Sequence, residues 1–128
     1  MDVESAAQAL AARARDLRDG EILIAGGEPT VIRRGDGKGG RCSELAVRLA
    51  LVAGDRRLMA LFGSSDGIDG NSGVAGIALS LPVRLDRRVA QDELARSNAF
   101  AVAESIGEAI TMVPTGNNLR DLYLLARS

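Results

Sequence analysis

Three short loops hold the residues whose types and spacing could do chemistry. The first is Gly37-Lys38-Gly39-Gly40-Arg41, with Glu44 one turn further on. It opens a helix that the apolar spacing of Leu45, Leu49 and Val52 predicts from Arg41 to Ala53. Glycine amides at the positive end of a helix, flanked by Lys38 and Arg41, suit an anion. The same residues also suit a surface loop with solvated cations, and this is not a Walker sequence, because the Gly-Lys is not followed by Ser or Thr. The second loop, Ser65-Asp66-Gly67-Ile68-Asp69-Gly70-Asn71, has two Asp-Gly pairs that in isolation make tight turns. It leaves the carboxyl end of the predicted central strand, where open α/β sheets place ligands. Asp66 and Asp69 there could hold a hydroxyl, or the Mg²⁺ that accompanies a nucleotide. An EF-hand is excluded, since the twelve-residue spacing and its closing Glu are absent. The third loop, Pro114-Thr115-Gly116-Asn117-Asn118 with Asp121 beyond, is an Asn-rich turn or a set of uncharged donors and acceptors beside the other two.

These loops sit in a chain of 128 residues with a net charge of −1, one domain by size. Phe62, Phe100 and Tyr123 are its only rings, and it has no His and a single Cys. A nucleic-acid binder would show a basic patch with interleaved aromatics, so that class is excluded. Zinc sites of the usual kind and a His general base are excluded too, as is an internal disulfide. The charged, amphipathic N-terminus is not a secretory leader, and no apolar run approaches a membrane span, so we expect a soluble cytoplasmic protein with no membrane partner.

The periodicity predicts a helix over 4–18, strands over 21–25 and 30–34, the helix over 41–53, and a strand over 57–62 buried on both faces. Residues 72–79 are ambiguous and lean towards helix. A helix over 92–106 follows, then strands over 109–113 and 119–126. Alternating strands and helices imply a single three-layer α/β/α domain over residues 1–128. The tight Gly26-Gly27 link between two early strands suggests an antiparallel pair within a mixed sheet.

In order and spacing the loops resemble the MOFRL domain family, the C-terminal part of type II glycerate kinases, often labelled hydroxypyruvate reductases. That family shows Gly-Gly-Glu-x-Thr-Val, then Gly-Lys/Arg-Gly-Gly-Arg-Asn-Gln-Glu, then Thr-Asp-Gly-x-Asp-Gly, and closes with Gly-Pro-Thr-x-Thr-Asn-Val-Asn-Asp. The corresponding runs here are Gly26–Val31, Gly37–Glu44, Ser65–Gly70 and Val113–Asp121. The resemblance implies one side of a kinase cleft, completed by a larger Rossmann-like domain, for ATP- and Mg²⁺-dependent phosphorylation of glycerate. Carried over by position, Arg41 meets the anionic substrate or the transferring phosphoryl group. Lys38, Gly39, Gly40, Ser65, Asp66, Asp69, Asn71, Thr115 and Asn118 line the same cleft, while Glu28, Glu44 and Asp121 hold the loops in place. No particular metal ligand is assigned. The implied partners are a small anionic metabolite and either a separate large domain or a second copy; the chain is an excised domain, half of a split enzyme or a stand-alone relative. A binding module without kinase activity is the alternative. Nicotinamide chemistry is not expected, since no Gly-x-Gly-x-x-Gly fingerprint is present. The family's Asn-Gln is Cys42-Ser43 here, its Gly before Pro-Thr is Val113, and an Asn-Asp near the last helix is Ser97-Asn98; most of these changes are expected to face the cleft.

Overall fold

The computed structural model describes residues 1–117 and 120–128. Four helices, α1 (Val3–Ala14), α2 (Arg41–Ala53), α3 (Arg87–Ala95) and α4 (Ala99–Ile106), accompany five strands. The strands are β1 (Ile22–Gly27), β2 (Leu58–Ser64), β3 (Gly76–Leu81), β4 (Glu108–Ile110) and β5 (Asp121–Arg127), in spatial order β1-β5-β2-β3-β4.

Local chemistry explains the helix starts. The Asp2 carboxylate accepts from the Ser5 amide at 2.7 Å and caps α1, and Asp86 caps α3 through the amides of Arg88 and Val89. Each satisfies donors that the first turn leaves without a partner. In α1 the small residues Ala7, Ala11 and Ala14 fall with Leu10 on one buried stripe, which lets α1 lie close against α2. Helix α2 is enclosed by α1, α4 and the sheet, so Cys42 through Val47 and Leu49 are all buried. The sheet side of this core holds Leu58, Ala60, Phe62, Tyr123 and Leu125, with the Phe62 and Tyr123 rings 5.6 Å apart.

Several expectations change. Among the described residues every strand pair is antiparallel, so the sheet is not mixed; a parallel contact occurs there only as an isolated bridge between Asp2 and Thr30. Residues 30–34 form no strand: Thr30 exchanges backbone hydrogen bonds with Met1 and Val3, and the Arg34 amide goes to Ser97 Oγ. Residues 72–79 contain no helix but a turn at Gly73 (φ +84°) followed by β3. Its Gly76 lies so close to Phe62 and Gly63 of β2 that no Cβ would fit. The helix expected over 92–106 is two helices, broken at Ser97, whose φ of 57° no helix tolerates. Residue 119, where the last strand was expected to begin, lies outside the described residues, and β5 starts at Asp121.

The third layer is missing among the described residues. All four helices pack on one face of the sheet, and the alternating side chains of β1, β5 and β2, Met59 among them, point away from that face. Strand β2 is therefore not buried on both sides. No helix is long and apolar enough to cross a membrane.

Candidate functional site

The N-terminus of α2 is the centre of the site, and its cap comes from a distant loop. Gly40 at the cap position has no side chain to offer. The Asp69 carboxylate takes that role, accepting from the Cys42 amide at 2.8 Å, the Ser43 amide at 2.9 Å and the Ser43 hydroxyl. A Cβ at Gly40 would fall on that carboxylate, so glycine is required for the close approach. Burial pushes the Asp69 carboxyl above the usual range, against the pull of its three donors.

Asn71 extends the lock between the first two loops. Its Oδ1 accepts from the Gly39 amide at 2.9 Å and its Nδ2 donates to Gly37 O at 3.2 Å. Asn98 does the same from the other side, accepting from the Lys38 amide at 2.9 Å. The amides of residues 38, 39, 42 and 43, expected to face an anion, are thus taken by protein oxygens. The Lys38 side chain is exposed.

The cation at the site is the Arg41 side chain. Its Nε and Nη2 donate to Asp121 at 2.7 and 3.0 Å, a bidentate pair, and Nη1 stands 3.7 Å from Glu28 Oε1. The Asp121 side chain is 2% exposed and accepts a third hydrogen bond, from the Tyr123 hydroxyl at 3.2 Å, whereas Arg41 is 32% exposed and reaches solvent. Hydrogen bonding to Asp121 holds the guanidinium protonated at every accessible pH. Burial raises the Tyr123 hydroxyl and the Cys42 thiol, so neither ionises near neutrality and Cys42 is no nucleophile.

The third loop joins through the second. The Thr115 amide donates to Asp66 O at 3.0 Å, its hydroxyl to Ser65 O at 2.7 Å, and the Ser65 hydroxyl to Asn117 O at 3.2 Å. Asp66 accepts from the Ser64 hydroxyl at 2.6 Å and the Ile68 amide at 2.9 Å; these bonds, with the charge of Arg41, hold its carboxyl below the usual range. Ser64 pairs in register with Asp121, which places this cluster next to the arginine's anchor.

All three loops therefore meet at one end of the sheet, but in two compartments. A cleft of about 560 Å³ is lined by Glu28, Arg33, Gly40, Arg41, Glu44 and Asn71. Ser65, Asp66 and Thr115 stand beside it rather than in its wall. Asn118 lies outside the described residues. Glu44 is buried, bonded to Arg48 Nε at 3.2 Å, and its carboxyl is raised by burial. Asp69 is a cap and not a cleft group. Cys42 and Ser43 are fully enclosed, and Asn98 is bound to Lys38 and Glu93, so these departures from the family pattern alter the scaffold, contrary to expectation. Arg33, whose Nη2 donates to Gly37 O at 3.3 Å, was missed because its segment read as a strand. Its position two residues past Val31 and four before the glycine loop was the available signal.

A family model, the MOFRL family, matches residues 21–121, a span that contains each of the three loops. The chain belongs to the MOFRL family. Among similar proteins, the glycerate kinase of Rattus norvegicus is 34% identical over 115 residues, covering 80% of this chain and 22% of that protein. The D-glycerate 2-kinase of Thermotoga maritima is 30% identical over 115 residues, 86% of this chain and 28% of that protein. A putative hydroxypyruvate reductase of Agrobacterium vitis is 31% identical over 114 residues, 83% of this chain and 29% of that protein. The crystal structure of glycerate kinase from Thermotoga maritima superposes with a TM-score of 0.78 at 25% identity, over 99% of this chain and 34% of that one. This MOFRL chain is a glycerate kinase-related domain, and it spans between a fifth and a third of the relatives it matches.

Proposed function

We propose that this MOFRL domain forms one wall of a cleft in which glycerate is phosphorylated by ATP, the opposite wall being a larger domain. The observation that carries the reading is Arg41: a guanidinium clamped on one edge by Asp121 and leaning on a solvent-exposed Glu28 with the other. The contact to Glu28 is long and exposed, so it is weak, and an incoming carboxylate or phosphoryl oxygen can replace it. Phosphoryl transfer depends on positioning and on charge stabilisation, and a pre-oriented arginine supplies both. Arg33 adds a second cation along the same cleft.

ATP would supply the phosphoryl group and Mg²⁺ would neutralise its oxygens. Among the described residues no group of three or more His, Cys, Asp or Glu gathers to hold a metal. Mg²⁺ usually binds through one or two carboxylates together with nucleotide phosphates and water, and such a donor set fits the ionised Asp66. The hydroxyls of Ser65 and Thr115, and Asn118 by position, would orient the bound groups there. A cytoplasmic setting, where ATP is present, suits this role.

Without an opposing wall the cleft stays open to water, where electrostatic stabilisation is much weaker. The chain alone therefore binds a small anionic metabolite without turning it over. The test mixes the full chain with the larger domain of a glycerate kinase relative and follows ADP released from ATP and glycerate. Activity that needs both parts and falls at least about 100-fold with Arg41→Lys is expected, the size of effect seen when one preorganised donor is lost. An inactive mixture, together with calorimetry showing that Arg41→Lys leaves binding of glycerate and 2-phosphoglycerate unchanged, would remove the proposal.

A further inference from the structure

Four arginines gather at the end of the sheet opposite the Arg41 cleft. Arg15, Arg56, Arg57 and Arg127 line a hollow of about 470 Å³ where the C-terminal end of α1 meets the start of β2 and the end of β5. Arg127 pairs in register with Leu58 and stands at the other end of β5 from Asp121, about 20 Å away at the usual rise per residue. Two of the guanidinium groups are held by neutral acceptors: Arg56 Nη1 donates to Ala11 O at 3.1 Å and Arg127 Nη1 to Leu17 O at 3.3 Å. Arg56 is half-buried and has no acidic partner among the described residues. Arg15 and Arg57 are exposed, and among the described residues their side chains make no hydrogen bond or ion pair.

The chemistry of the hollow narrows its occupant. Its one acidic side chain, Asp19, is 93% exposed and stands 3.6 Å from Arg127 Nε, a weak contact. Even with a carboxylate at Ser128 counted, four positive groups face two negative ones. That excess is local, because the whole chain carries a net charge of −1. Like charges gathered round one hollow repel, and an anion seated among them replaces the repulsion with attraction. An arginine with one N–H fixed on a carbonyl keeps its others for a ligand and loses little freedom on binding it. The concave shape suits a small molecule. Among the described residues no aromatic ring lines it, so phosphate groups and not a stacked base are what it can read. Four cations exceed what a single phosphate needs.

We infer that this hollow binds a small anion carrying two or more linked phosphate groups. It lies at the far end of the sheet from Arg41, so the inference stands apart from the kinase reading.

Titration of the isotope-labelled full chain with pyrophosphate, followed through its amide NMR resonances, tests it. Leu17, Asp19 and Ser128 should shift along one saturating curve, and orthophosphate should bind there at least about tenfold more weakly, the effect of losing one charge-assisted hydrogen bond. Resonances of residues 37–41 report the Arg41 cleft separately. Arg15→Gln combined with Arg57→Gln should weaken pyrophosphate binding at the hollow by about tenfold or more. Its stability in urea should match the parent chain, since neither side chain is bonded in the fold. Arg84→Gln combined with Arg88→Gln removes the same charge from exposed positions elsewhere and should leave the affinity unchanged. The absence of a saturable shift at Leu17, Asp19 and Ser128 overturns the inference, as does an Arg15 and Arg57 double variant that binds like the parent. Equal affinity for pyrophosphate, orthophosphate and chloride, the mark of an adventitious ion only, also overturns it.

Discussion

Asp66 and Asp69 stand three residues apart in one loop, each followed by glycine, and the fold uses them in opposite ways. The Asp66 side chain is half-buried and accepts from the Ser64 hydroxyl, while its carbonyl accepts from the Thr115 amide. Asp69, buried between exposed Ile68 and Gly70, turns inward and puts its carboxylate on the first turn of α2. One aspartate remains available to a ligand, whereas the other is part of the scaffold that points Arg41. A carboxylate's neighbours, more than its place in a motif, decide whether it binds or braces.

The sharpest way to break this contrast is Asp69→Ala. It leaves two buried amides and a buried hydroxyl without acceptors, so stability should fall by about 3 kcal/mol or more in urea denaturation. A loss under about 1 kcal/mol would mean that α2 finds its cap elsewhere. Gly40→Ala should cost about 1–3 kcal/mol or more by the same assay, because the added methyl meets the Asp69–Gly70 backbone as well as that carboxylate. Asp66→Asn should change stability by about 1 kcal/mol or less, since the amide oxygen can still accept from the Ser64 hydroxyl and the Ile68 amide. The same variant should weaken Mg²⁺-nucleotide binding in calorimetry; an unchanged affinity would take Asp66 out of the ligand site.

Acid titration separates the two environments with opposite signs. The Asp66 carboxyl is lowered in the folded chain from the usual 3.8, so its contribution is present above that pH and fades as pH falls through the lower folded value. Burial raises Glu44 above the usual 4.5, so its contribution is full below that pH and is lost as pH rises through the higher folded value. The stability gap between the parent chain and Asp66→Asn should therefore narrow below pH 3.8. Glu44→Gln should show its largest cost at the acid end and a smaller one towards neutrality. Parallel pH profiles for the two variants would contradict the assigned environments.

Much of the scaffold was readable from residue order. Helix α2 was visible because its apolar residues recur at helical spacing, and β2 because Leu58–Phe62 is a compact apolar run ending at a glycine. The break between α3 and α4 was not, because Leu94, Val102 and Ile106 keep a plausible stripe across Ser97, and the interruption is met by contacts from Arg34, Gly37 and Lys38, about 60 residues away in sequence. The two Asp-Gly turns look alike as text, and their difference arises from what α2 lacks at Gly40. The bare face was hidden for a related reason: the apolar run over 57–62 reads as buried on both faces, and a run of aliphatics does not say whether a second layer is present.

The Asp121 clamp has a practical consequence. The chain has one tyrosine and no tryptophan, so its near-ultraviolet emission arises from a single side chain. That phenol donates its proton to the very oxygen that receives Arg41 Nε. Any ligand that draws the guanidinium outward alters the electric surroundings of Tyr123, which makes the protein a label-free sensor of its own cleft.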